Sequence, residues 1–140
     1  MDLRTAPYGA FILRVSLGTL LIVHFLHKLL IFTPAGTAHM FGELGLPPML
    51  AYVVMLGEIT TGSALILGIV PRFAALAALP ILIGAIVFLH ARNGFAYNAP
   101  HGGGWEYPAF WAAALLVQVL IGDGAFVLIK TPRLLRARAA

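Results

Sequence analysis

The chain has 140 residues, of which 61% are hydrophobic and only 10% charged, with a formal net charge of +4. A soluble domain carries about 25% charged residues, so this surface is not built for water, and the composition points to an integral membrane protein. Cysteine is absent, which excludes disulfides, thiolate metal sites and any thiol relay within the chain.

A bilayer core about 30 Å thick needs about 20 apolar residues in a helix. Four stretches supply them, at about 9–32, 48–70, 72–91 and 107–129. Their length, the lack of period-2 alternation and the dominance of Ala, Leu and Gly exclude strands. The expectation is an all-α, four-helix membrane bundle forming one domain over 1–140.

Span 1 carries Arg14 and then His24, His27 and Lys28 within VHFLHKLLIF. With a rise of about 1.5 Å per residue, Arg14 lies about 8 Å inside the near end of the span. His24 lies about two-thirds of the way across, and His27 and Lys28 approach the far interface. The apolar run exceeds the about 7–15 residues of a signal-peptide core and is interrupted by charges, so it reads as a retained helix. TPAGTAHMFGELGLPP follows and predicts a short interfacial helix around 38–44.

Span 2 places Glu58 near the midplane, with Gly57, Thr61 and Gly62 on the same side of the helix. Small residues let helices approach and polar ones bond across the interface, so Glu58 is expected to face the bundle. A charge at mid-membrane costs about 2.5–3.5 kcal/mol on insertion scales, so Glu58 needs a partner. Depth favours His24. Arg14 comes next, as a structural ion pair, although its side chain would have to reach against the tendency to lean toward its own helix N-terminus.

Val70-Pro71-Arg72 forms a tight turn into span 3, with Pro opening the helix. Span 3 ends at His90, and RNGFAYNAPHGGGWEYP leads into span 4. The three glycines are not a phosphate loop, since no strand precedes them and no Lys-Ser/Thr follows. Glu106 favours the helix N-terminus, and Trp105, Tyr107 and Trp111 read as an aromatic belt.

Cations set the orientation. Arg4, Arg14, Arg72, Lys130, Arg133, Arg136 and Arg138 lie toward the side of the termini, against Lys28 and Arg92 on the side of the long loops. Both termini are therefore expected in the cytoplasm and both long loops outside. The basic C-terminal cluster reads as the flank of a membrane helix and not as a nucleic-acid surface. The five histidines at 24, 27, 39, 90 and 101 all fall in the outer half. With Lys28, Glu43, Tyr97, Glu106 and Tyr107 they predict one polar vestibule above Glu58.

LRVSLGTLLIVHFLHKLLIF, FGELGLPPMLAYVVMLGEITTGSALILGIVPRFAALAA, FLHARNGF and GGGWEYPAFW together resemble the DoxX family of small four-helix membrane proteins. The resemblance runs from Leu13 to about Asp123 and rests on Arg14, Gly18, Lys28-Leu29, Leu46-Pro47, Glu58, the Leu67-Gly68 to Arg72 turn and Trp105-Glu106-Tyr107-Pro108. Phe25 departs from it, standing where many relatives have Gly. The resemblance implies a bundle in the bacterial cytoplasmic (inner) membrane, linked to quinone-dependent oxidases or to oxidative stress, and brings no general catalytic mechanism.

Taken with that resemblance, the residues suggest a binding or accessory subunit of a redox system and not a stand-alone enzyme. A quinone headgroup suits His24, His27 and Lys28, because its carbonyls accept hydrogen bonds from imidazole and ammonium. Glu58, His90, Glu106 and Tyr107 complete the expected ligand-binding or proton-exchanging set. Haem between His24 or His27 and His90 is chemically feasible, but no tighter ligand signature supports it or a metal site. Two other readings stand beside this one. One is a proton-coupled transporter, which would need a homo-oligomer; the other is a structural partner for a redox, membrane or exported protein.

Overall fold

The computed structural model describes residues 4–96, 98 and 102–132. Among them the chain is all-helical, with one isolated parallel bridge between Ile69 and Ile129. Helix α1 spans Ala6–Leu30, α2 Pro34–Glu43, α3 Met49–Leu67, α4 Pro71–Gly84 and α5 Glu106–Ile121. Beyond Gly84, α4 continues as a wider π-helical segment, Ala85–His90, and a final 3-10 turn, Ala91–Asn93.

Prolines and glycines mark most of these boundaries. Pro7, Pro34 and Pro71 occupy first turns, where an absent N–H costs nothing. Thr33 caps α2 by accepting from the Gly36 N–H at 3.2 Å. Helix α3 ends at Gly68 in the left-handed region, φ 70°, the usual glycine C-cap. The turn into α4 then forces Val70 to φ 40°. Its N–H donates to Ile129 O at 2.8 Å, which helps hold that strained backbone.

Among the described residues, three helices are long and apolar enough to cross a membrane: Ala6–Leu30, Met49–Leu67 and Pro71–Asn93. Their packing is inverted relative to a soluble domain. Leu120, Phe110 and Leu30 are more than 70% exposed, while Arg14 and Gln118 are fully buried and Glu58 is 3% exposed. Apolar side chains outside and charges inside suit hydrocarbon as the surrounding solvent. The chain is a multi-pass membrane protein.

The fourth apolar stretch differs from the sequence expectation. Helix α5 has 16 residues, about 24 Å of helix, and stops at Gly122, φ 102°. Residues 122–132 turn back toward the start of α1, where Ala125 N–H donates to Pro7 O at 2.9 Å. Asp123 secures this return by accepting from the Thr131 backbone N–H at 2.9 Å and hydroxyl at 2.5 Å. The apolar run AFVLI after Gly124 is therefore not a helix extending to 129.

Helices α1 and α3 meet through glycine. A Cβ on Gly18 would lie 2.7 Å from Gly62 O, and one on Gly62 would lie 3.0 Å from Gly18 O. This close approach fixes the relative depth of the two helices that carry the buried charges. Around it, Leu17, Leu21, Leu65, Ala75, Ala78, Leu82, Trp111 and Leu115 form the core.

Candidate functional site

Toward the α2 end of the bundle lies a cavity of about 520 Å³, within the range of small-molecule sites. Its wall comes from α1, α2, α3, α4 with its continuation, and α5. Most of that wall is apolar: Phe41 of α2 and Leu44 just after it cover one side, Val53 and Val54 of α3, Ile81 of α4 and Phe88 of its continuation others. Polar groups are few. His24, Lys28, Glu58, His90 and Tyr107 all line the cavity.

The charged centre is Lys28 with Glu58. Lys28 Nζ donates to Glu58 Oε1 at 2.6 Å, and the side chains are 16% and 4% exposed. At this separation two opposite charges in a poorly polarisable interior attract strongly and compensate much of their desolvation. The second carboxylate oxygen, Oε2, is buried without a hydrogen-bond partner among the described residues.

Neither partner expected from depth counting meets Glu58. His24 Nδ1 lies 2.9 Å from Leu20 O. The carbonyl can only accept, so Nδ1 carries a proton in this contact. The His24 ring packs on Trp111 at 4.9 Å between centroids. Arg14 forms no carboxylate ion pair with Glu58. Its guanidinium donates to Leu65 O at 2.6 Å and Ile66 O at 2.9 Å, and to Ala125 O at 2.8 Å and Phe126 O at 2.6 Å. The first two carbonyls lie in the last turn of α3, where Leu65 O otherwise receives only the Gly68 N–H at 3.3 Å, so the arginine caps one helix while binding the returning chain.

His90, in the last π-helical turn, lies with Nδ1 2.6 Å from Gly103 O, an oxygen also reached by Asn93 Nδ2 at 3.2 Å. The glycine run therefore anchors the end of α4. Gly104 approaches so closely that a Cβ there would strike the carbonyls of Gly94, Phe95 and Ala96.

The cavity gathers fewer polar groups than the histidine distribution suggested. His27 is exposed beside Phe32, with ring centroids 4.8 Å apart, and is not part of the cavity wall. His39 and Glu43 pair at 3.6 Å on the exposed face of α2. Glu106 opens α5 outside the wall. Tyr97 and His101 lie outside the described residues, as do Arg133, Arg136 and Arg138. Trp111 also departs from the belt reading: it is 4% exposed and forms part of the core and of the cavity wall. Trp105 and Tyr107 keep partly exposed rings.

Sequence reasoning also missed Pro80 and the widened turn Ala85–His90, which together shape the α4 wall. Pro80 was a visible signal, because an internal proline removes one helical hydrogen bond. Wider π turns are frequent at functional sites, but no residue type encodes them.

The DoxX family model matches residues 9–91, more than half of the chain. The chain is also 34% identical over 91 residues to "Putative oxidoreductase CatD" of Bacillus subtilis (strain 168), an alignment covering 65% of this chain and 66% of the relative. No solved structure matches it. The matched segment contains Arg14, His24, Lys28, Glu58 and His90, and this chain belongs to the DoxX family.

Proposed function

We propose that the protein is a membrane accessory or binding subunit of a redox system. It holds a small amphipathic, quinone-like ligand in the cavity beside Lys28 and Glu58. The carrying observation is a buried ion pair, with one carboxylate oxygen unpartnered among the described residues, contributed by two residues that line a mostly apolar cavity. Intramembrane charges are costly and tend to mark binding or proton-transfer sites. A flat ring with polar edges fits that division, its ring against Phe41, Val53 and Phe88 and its edge toward His24, Lys28 and Glu58. The oxidoreductase named among its relatives supports the redox setting, and oxidative or quinone stress is the context proposed for it.

In this reading α5 crosses the bilayer as a fourth, short span. Both termini lie in the cytoplasm of a bacterium, and α2 rests at the outer surface of the inner membrane over the cavity. A redox protein in the same membrane would be its partner.

The test is to purify the chain in mild detergent and analyse its extract by mass spectrometry. A stoichiometric lipid-soluble aromatic ligand is expected, and both His24→Ala and Glu58→Gln should lose it. Retention of the ligand in both variants would count decisively against this site.

A further inference from the structure

Part of the cavity wall is two stripes at helical spacing, one on each of the neighbouring helices α3 and α4. Leu50, Val53 and Gly57 form the first, and Ala77, Pro80, Gly84 and Phe88 the second. Steps of three and four keep each stripe on one side of its helix. Close to the tight turn that joins them, the two helices touch: a Cβ on Gly57 would lie 2.9 Å from Ile81 Cδ1. Nearly one helical turn farther along α4, a Cβ on Gly84 would meet no atom within 4 Å among the described residues. The helices therefore leave a gap at the level of Gly84.

The gap opens outward. Val53 is 62% exposed and Phe88 43%, and Ala77 and Pro80 are also exposed. All four line the cavity, and a wall residue with that much free surface stands at the rim. The rim holds no polar side chain. Gly84 lies about 20 Å along the helix from Pro71, inside a hydrocarbon core about 30 Å thick. At the end away from the turn, Met40 and Phe41 of α2 join the wall.

We propose that the cavity opens sideways into the bilayer between α3 and α4, and that its ring ligand bears a long hydrocarbon chain running out through this mouth. The proposal rests on the ligand-binding function above and adds to it the class of ligand and its entry from the lipid. A chain of eight isoprene units is too bulky to be enclosed in about 520 Å³. A closed pocket and a side-opening one therefore respond in opposite ways to chain length.

The experiment uses the full chain in lipid nanodiscs and three benzoquinones with the ubiquinone ring, bearing no chain, a decyl chain or eight isoprene units. Affinities are expressed per mole of lipid, so that partition into the bilayer does not count. A chain gains little on moving from lipid to an apolar protein wall, so wild type is expected to bind all three within about threefold. Gly84→Phe places a ring in the open gap without a clash. It should weaken the eight-isoprene probe about tenfold or more by overpacking, the decyl probe less, and the chainless ring least. Exclusion of the eight-isoprene probe by wild type that binds the chainless ring would overturn the proposal and leave the binding function standing. So would a Gly84→Phe variant whose loss does not grow with chain length. Failure of all three probes to bind wild type would overturn the two together. Because the chain has no cysteine, a spin label on Gly84→Cys tests the mouth without any ligand. Collisions with oxygen should exceed those with a water-soluble nickel chelate, and the reverse order would overturn the opening to lipid.

Discussion

Lys28 shows how side-chain direction can outweigh sequence depth. Counting helical rise places its Cα near the far interface, some distance from Glu58, yet its ammonium reaches the carboxylate at 2.6 Å. Side chains on a helix lean toward its N-terminus, and in α1 that direction is inward for Lys28. The need of Glu58 for a partner was therefore legible, whereas the identity of that partner required the direction of a long flexible side chain. Removing one charge leaves the other buried and unpaired. Lys28→Met is expected to destabilise the fold by about 3 kcal/mol, read as a lowered midpoint in a denaturing-detergent titration. Lys28→Met/Glu58→Leu should recover most of that loss, and a double variant as unstable as the single one would argue against the pair as the cause. Arg14 allows a second residue-scale test. Four carbonyls surround one planar fork, a geometry that a lysine ammonium does not reproduce. Arg14→Lys should lower stability by about 2–3 kcal/mol in the same titration despite its retained charge.

Among the elements, the contact between α1 and α3 is set by what is missing from Gly18 and Gly62. The small face of α3 was readable from Gly57, Thr61 and Gly62, but its register against α1 depends on two backbones meeting, which hydropathy does not encode. Gly18→Ala places a methyl 2.7 Å from Gly62 O, so the helices must separate and the Lys28–Glu58 distance must change. Gly9, also in α1, has nothing within 4 Å of the place a methyl would take. Gly9→Ala should therefore stabilise by up to about 0.5–1 kcal/mol through helix propensity, while Gly18→Ala destabilises. Thermal unfolding of the two variants in detergent compares these signs directly, and equal effects would contradict the close crossing. The end of α5 was misread for another reason. AFVLI is apolar enough to prolong a helix, but Gly122 and Gly124, at φ 102° and 81°, had already redirected the chain.

For the whole molecule, the inverted surface and the three long apolar helices were legible from composition and run length alone. A pocket above Glu58 was expected, but its mostly apolar wall was not, because that wall draws residues from helical segments distant in sequence. Topology can be tested cleanly because the chain contains no cysteine. His39→Cys, Arg92→Cys and Lys130→Cys each introduce one thiol at an exposed position. A membrane-impermeant maleimide applied to intact cells is expected to label positions 39 and 92, and to label 130 only after permeabilisation. Labelling of 130 together with 92 in intact cells would mean that the 16-residue α5 does not cross.

The arginine fork also orders events during synthesis. Leu65 and Ile66 can engage Arg14 once α3 has entered the membrane, but Ala125 and Phe126 emerge from the ribosome only after α5. Until then, two of its four hydrogen bonds are unmade. A nascent chain stopped before the return segment should therefore be more readily degraded than one released beyond it. The return segment after α5 acts as the latch that holds α1.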